Sequence, residues 1–295
     1  MRTFHVLYHM ARADFLERVR RYSFLLTMGF AGLLAIGVYR GEIVLALGKY
    51  HGTYNSAWFG AFLALVATTF LSLVGFYIVK NTVQRDEQTH VGRILAATPL
   101  SRFEYTLGKT ISNFAVLASM VLVLALGAAV LQLLRGSGSI DWWQLLSPFL
   151  LIALPVVAAI AAMAVLFETI PGLRGGFGNV TYFFVITGLL AVSITLKSAD
   201  FSGIGMYMQS MGDVLRKLDS SYRDSFTLQI GSEQNATEVF QWDGLHWTSS
   251  MVLQRLLWVG VALAIAYLAS LLFHRFDPAK ESQKSKIKKE NIAEQ

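Results

Sequence analysis

The sequence predicts an all-α, polytopic membrane protein with six transmembrane helices, and three observations carry that expectation. Of the 295 residues, 54% are hydrophobic and only 15% are charged, against about 25% charged in ordinary soluble domains. The apolar residues gather into six long runs, 22–39, 57–79, 111–134, 146–167, 180–196 and 251–273. A helix needs about 20 such residues to cross a bilayer. With both termini placed in the cytoplasm, most of the 25 Lys and Arg residues fall on the inside, which is the bias that orients membrane proteins.

The N-terminal segment 1–21, MRTFHVLYHMARADFLERVRR, spaces Phe4, Leu7, Tyr8, Ala11, Phe15 and Val19 near helical period. Arg12, Arg18, Arg20 and Arg21 fill other faces. That is an amphipathic helix suited to the inner interface. His5 and His9 stand four apart on it, but no acidic or third His ligand lies close in sequence, so a metal pair is a poor reading. The first apolar run lies behind this charged segment without a small-residue cleavage site, so it reads as a span and not as a cleaved signal.

The loop 81–110 between the second and third runs divides in two. Residues 86–97 have helical spacing, with Val91, Ile94 and Leu95 on one side. Pro99 stops that helix. Ser101 followed by Glu104 makes a capping box that starts the third span. The physics allows two readings: a rigid element that transmits a push, or an ordinary cytosolic loop obeying the charge rule. The tetrapeptide LGKT, residues 107–110, mimics the end of a phosphate-binding loop. The first glycine of that motif would fall on Phe103 and no strand precedes it, so nucleotide binding in this chain is rejected.

Further along, Pro148 and Pro155 predict a kink in the fourth run. The external segment 198–247 is long and contains a helix over 205–218, followed by Trp242 and Trp247 at the outer interface. It reads as a small subdomain or lid, or else as a loop lying on the membrane. Gln254 and Arg255 stand at the outer mouth of the sixth span, where Arg255 is expected to snorkel to water, with contact to an anionic head group as the alternative. The basic stretch 274–295 reads as a solvated tail, with contact to anionic lipid as the alternative. The sequons at Asn179 and Asn235 read as accidental.

The pattern RDEQTHVGRILAATPLSRFEYTLGK resembles the cytoplasmic loop of ATP-binding-cassette type-2 permeases. Asp86–Glu87, Gly92, Thr98–Pro99–Leu100–Ser101 and Gly108–Lys109 follow that family's order. The basic N-terminal helix, the six runs and the sixth run's ending FHRFDP are also similar. The resemblance implies a transmembrane domain over 22–273 in a multi-pass protein of a bacterial or archaeal cell membrane, with cytoplasmic termini. It implies a permease that pairs with a second permease subunit, as a homodimer or heterodimer. It also implies docking of cytosolic ABC ATPase subunits, with ATP and magnesium on that partner and no cofactor in this chain. The loop 81–110 would be the coupling helix. Arg85, Asp86, Glu87, Arg93 and Arg102 would make polar contacts, and Ile94, Leu95 and Leu100 would fill a groove. Gly92 would allow close approach, and Thr98, Pro99 and Ser101 would fix the turn. Residues 168–178, ETIPGLRGGFG, would be a second, smaller contact. Export is the usual direction in that family.

Other classes fare worse. The chain has no cysteine, so it holds neither a disulfide framework nor a thiolate site. The six histidines are scattered, and no HExxH or GxSxG motif appears, which argues against an enzyme. No Asp, Glu or Lys sits in the middle of a run, which weighs against an ion-coupled carrier. Hydroxyls and amides such as Thr68, Ser72, Asn113 and Gln132 are candidates to line a path or to bond back to helix carbonyls. The basic balance follows from membrane topology and needs no nucleic acid. The remaining rival is a structural or sensory membrane protein that does not transport.

Overall fold

A computed structural model describes residues 2–20, 22–92, 99–196, 199–223, 225–230 and 238–273. Helix α1, Arg2–Val19, leads into α2, Tyr22–Arg40. Two short strands follow, β1 (Ile43–Ala46) and β2 (Tyr50–Gly52). Then come α3 (Ser56–Val79), the short α4 (Thr82–Gln88) and the long α5 (Arg102–Arg135). Helix α6 (Trp142–Pro148) continues through a π-helical turn, Phe149–Ala153, into α7 (Leu154–Thr169). Helices α8 (Gly176–Thr195) and α9 (Ile204–Leu218), strands β3 (Thr227–Ile230) and β4 (Glu238–Phe240), and α10 (Ser249–Leu272) complete the order.

Among the described residues, five helical stretches are long and apolar enough to cross a membrane: Ser56–Gln88, Arg102–Arg135, Trp142–Thr169, Gly176–Thr195 and Ser249–Leu272. The first expected span reaches that standard only when Phe24–Arg40 is joined to Leu7–Val19, from which it bends by 76°. The architecture is therefore mostly helical with five to six potential spans. The kink expected from Pro148 and Pro155 takes the form of the π turn inside one 28-residue stretch. A π turn shifts the ladder from i→i−4 to i→i−5 bonds and so accommodates the N–H donors that the two prolines lack.

Local chemistry starts these helices. Asn55 caps α3, its Oδ1 accepting from Trp58 N at 2.8 Å. The expected capping box on α5 is present: Glu104 N donates to Ser101 Oγ at 3.1 Å and Ser101 N donates to Glu104 Oε2 at 2.8 Å. At 34 residues, α5 is ~50 Å long, several turns more than the hydrocarbon core requires.

Helices α3 and α7 are the buried centre, and α8 and α10 are peripheral. In the most apolar window of the α3 stretch 67% of residues are buried, and in that of the α6–α7 stretch 72%, against 22% in α8 and 28% in α10. Small residues on α3 bring its neighbours close. A side chain on Gly60 would run into the backbone of Gln144 and Leu145, the kind of small-residue contact that packs membrane helices. Tyr182 of α8 stacks on Phe76 of α3, centroids 3.9 Å apart, and donates to Ser72 O at 2.6 Å. The outward faces of α8 and α10 expose Phe177, Phe184, Leu253, Leu257 and Leu263, surfaces that suit a lipid surround.

The bundle has two chemically distinct ends. The proximal end gathers α1, the α3–α4 junction, the start of α5, the end of α7 and the start of α8. At the distal end β1 pairs antiparallel with β3, register Ile43↔Ile230 to Ala46↔Thr227. Strand β2 pairs parallel with β4, register Tyr50↔Glu238 to Gly52↔Phe240. The expected external subdomain is thus shared with residues 43–52, which the sequence reading did not join to it. Its helix α9 lies where periodicity placed it. Trp242 is buried and donates to Ser210 Oγ at 3.1 Å, and Trp247 donates to Ser147 Oγ at 2.9 Å. Both tryptophans serve packing within the distal end.

Candidate functional site

The richest polar chemistry among the described residues lies at the proximal end. Helix α4 begins just after Asn81, whose left-handed backbone (φ 71°) turns the chain sharply out of α3; asparagine tolerates that conformation better than most residues. Glu168, at the end of α7, caps the new helix. Its carboxylate accepts from the amides of Thr82 (3.0 Å), Val83 (2.6 Å) and Gln84 (3.1 Å), and from the Thr82 hydroxyl at 3.1 Å. Those are the orphan donors of a helix start, and a negative group there also suits the helix dipole. Sequence reasoning missed this role, because the partners stand 86 residues apart.

Lys109 is the hub. Its side chain is only 2% exposed, and its Nζ lies 2.7 Å from Asp14 Oδ2 of α1 and 2.7 Å from Asp86 Oδ2 of α4. Tyr105, one turn earlier on α5, donates to Asp86 Oδ2 at 2.8 Å. Gly108 lets α1 approach, since a side chain there would meet Met10. The Gly-Lys pair that opens the third span therefore has a packing task and a charge task in this chain. Arg85 approaches Glu17 at 3.4 Å and Asp14 at 3.8 Å. Arg174, in the segment after α7, donates to Glu168 O at 2.6 Å and to Glu87 Oε1 at 3.1 Å.

Of the residues expected to make polar docking contacts, Arg85 reaches α1, Asp86 meets Lys109 of α5 and Glu87 meets Arg174, and Asp86 is 5% exposed. A carboxylate this buried is stable only when paired, which is why it turns toward Lys109. Gly92 is buried, Pro99, Ser101 and Arg102 are exposed, and Leu100 is half-buried. Arg93, Ile94, Leu95 and Thr98 lie outside the described residues. Val91 and Phe103 add exposed apolar surface beside them.

The two histidines of α1 face each other at 3.0 Å. Among the described residues no group of three or more metal-ligating side chains is assembled.

The distal end holds a second buried knot. Arg255 of α10 is 1% exposed, so the expectation that it snorkels to water is overturned. Its guanidinium donates to the backbone carbonyls of Asp200 and, at 3.4 Å, Phe201. The Asp200 carboxylate accepts from Gly203 N at 2.7 Å and Met206 N at 2.9 Å, capping α9. Burial pushes the Asp200 carboxyl up from its ordinary value, opposed by the nearby Arg255 charge and by those amides. Closer to the surface, the strands are clasped by Lys49 with Glu238 (2.7 Å) and by Tyr50, which donates to Asp219 Oδ2 at 2.8 Å.

No protein-family model matches this chain, and no curated protein sequence matches it.

Proposed function

We propose that this chain is the membrane-spanning permease subunit of an ATP-driven transporter of the ABC type-2 kind, coupled through the loop 81–110 to a separate cytosolic ATPase subunit. One observation supports the reading most: the segment from Asn81 to Lys109 is tied by buried polar contacts to α1, α5 and α7 together. Glu168 grips the start of α4, Asp86 grips Lys109, and Arg85 reaches α1. A displacement of this segment by a partner would therefore move α5 and α7, which belong to the packed centre. Helix α5 starts with a complete capping box and so responds as a rod from its first turn.

In this mechanism two permease subunits meet in the cell membrane, each crossing it six times with both termini in the cytoplasm. ATP closes the ATPase subunits around the two loops, and the path between the permeases changes its access. The inward-facing Arg85, Asp86 and Glu87 carry the motion into the bundle. The partner surface is then formed by Val91, Pro99, Leu100 and Arg102 with Ile94 and Leu95. The transported substance is exported.

The test is purification in mild detergent with the co-expressed products of neighbouring genes. A stoichiometric ATPase subunit is expected, and it should be lost in the Ile94→Asp/Leu95→Asp variant while that variant still inserts. Retained ATPase binding and transport in the variant would sink the coupling assignment. Repeated purification with no nucleotide-binding partner would favour the structural or sensory alternative.

A further inference from the structure

A cavity of about 520 Å³ lies at the proximal end between the α1–α2 bend and the α3–α4 junction. Its size falls within the range of small-molecule sites, about 300–1,000 Å³. Three cations line it: Arg18 at the end of α1, Lys80 at the junction and Arg85 on α4. Among the described residues lining it, none is acidic. The opposite wall is apolar, made by Phe24, Ile78 and Val116.

The charge is unevenly compensated. Arg85 turns toward Asp14 and Glu17 at its back. Lys80 donates to neutral oxygens, Asn179 Oδ1 at 2.6 Å and Gly175 O at 3.2 Å. These bonds fix the ammonium in place, and the acid whose charge it feels, Glu168, is itself held by the α4 amides. The first amides of α4 are already taken by Glu168, so the cavity's attraction for an anion comes from side chains and not from a helix end.

We propose that this cavity binds the phosphate group of an anionic ligand, with Lys80 as the leading cation and the Phe24–Ile78–Val116 wall receiving an acyl chain when the phosphate belongs to a lipid. Basic pockets between membrane helices recognise anionic head groups by this chemistry. The site does not depend on the transport reading: it requires only this packing of α1–α5 and the start of α8, which holds Lys80.

The experiment uses the full chain in neutral detergent. Dioctanoyl phosphatidic acid, dioctanoylglycerol and inorganic phosphate are titrated separately, with binding read by thermal shift and by native mass spectrometry. The two lipids differ only in the phosphate. Phosphatidic acid should bind and dioctanoylglycerol should not. Lys80→Gln should weaken binding about tenfold or more, since it removes a charge-assisted bond. Gln88→Glu puts a carboxylate at the rim, on an exposed position of α4. It should weaken binding as well, and it carries the test if Lys80→Gln does not fold. Binding of inorganic phosphate as tight as that of the lipid assigns the site to free phosphate, and binding of the lipid alone assigns it to a head group. Equal binding of dioctanoylglycerol, no binding of either phosphate compound, or unchanged affinity in both variants overturns the proposal.

Discussion

At the proximal end, charges from separate elements meet side chain to side chain: Lys109 with Asp14 and Asp86, Arg85 with Glu17, and Arg174 with Glu87. At the distal end the central cation, Arg255, reaches backbone carbonyls, and strands 43–46 and 227–230 are laced by a ladder. The difference teaches how each end can respond to force. An ion pair between two side chains can be exchanged for another pair or for a ligand without unravelling the backbone. A ladder and a guanidinium locked onto main-chain oxygens cannot. Beyond Glu168's grip on the α4 amides, the proximal end is held mainly by exchangeable side-chain pairs around a rigid start to α5, whereas the distal end rests more on main-chain bonds.

The largest expected effect tests the hub. Lys109→Met removes the cation facing two carboxylates while keeping the side chain's length. Breaking a buried pair by deleting one partner costs about 3–5 kcal/mol. Hydrogen exchange should accelerate over residues 82–88 and at the start of α5, with the β1–β3 amides unchanged. Adding Asp86→Asn to that variant should recover part of the loss, because the stranded buried charge is then gone. Equal acceleration at both ends would show that the two ends are one cooperative unit and would erase the contrast.

A smaller effect is expected from Arg255→Lys. The ammonium keeps the charge but cannot span the carbonyls of Asp200 and Phe201 as a planar fork does. Losing one hydrogen bond to a charged donor costs about 1.5–3 kcal/mol. Exchange should rise at the start of α9 and in residues 199–203, with α4 and the start of α5 protected as before. A variant that instead loosens α4 would mean that the distal knot is mechanically continuous with the proximal lattice.

The contrast was only half legible in the sequence. Features set by neighbours along the chain could be read directly: the Ser101–Glu104 box, the helix over 205–218 and the apolar runs. Features set by distant partners could not. Glu168 reads as a lone acid at the end of an apolar run until the amides of 82–84 are brought to it. Asp86 reads as a surface charge because its cation, Lys109, and the second carboxylate, Asp14, arrive from other helices. Arg255 reads as a snorkelling side chain because nothing nearby in sequence announces the carbonyls of 200 and 201. The β1–β3 pairing joins segments more than half the chain apart, and four-residue strands carry too little alternation to be told from loop. In each case the partner that fixes the residue's role lies far off in the chain.

The smallest expected effect concerns the surface clasp of the distal sheets, and its pH dependence follows from three groups. The Ser221 hydroxyl and then the Tyr50 hydroxyl hold the Asp219 carboxyl down at about 2. A carboxylate with a depressed value stabilises the fold above its ordinary range and loses that contribution as pH falls through its folded value. The clasp should therefore weaken between about pH 4 and about pH 2. The other two groups act at the opposite extreme. The Asp219 carboxylate raises Tyr50, which donates to it, and Glu238 raises Lys49. Each raised group contributes fully below its unfolded value and loses that contribution as pH rises above about 10. Exchange of the β2–β4 amides should thus be slowest across the middle of the pH range, after correction for intrinsic rates, and should rise at both ends. Asp219→Asn keeps an acceptor for Tyr50 but removes the titrating charge, so it should flatten the acid side and shrink the part of the alkaline rise that comes from Tyr50. Because the Lys49 and Glu238 side chains are about half exposed, salt should shrink their share of the profile most. The buried Lys109 hub should be far less sensitive to salt, so a comparable salt response there would place it nearer to solvent than its 2% exposure allows.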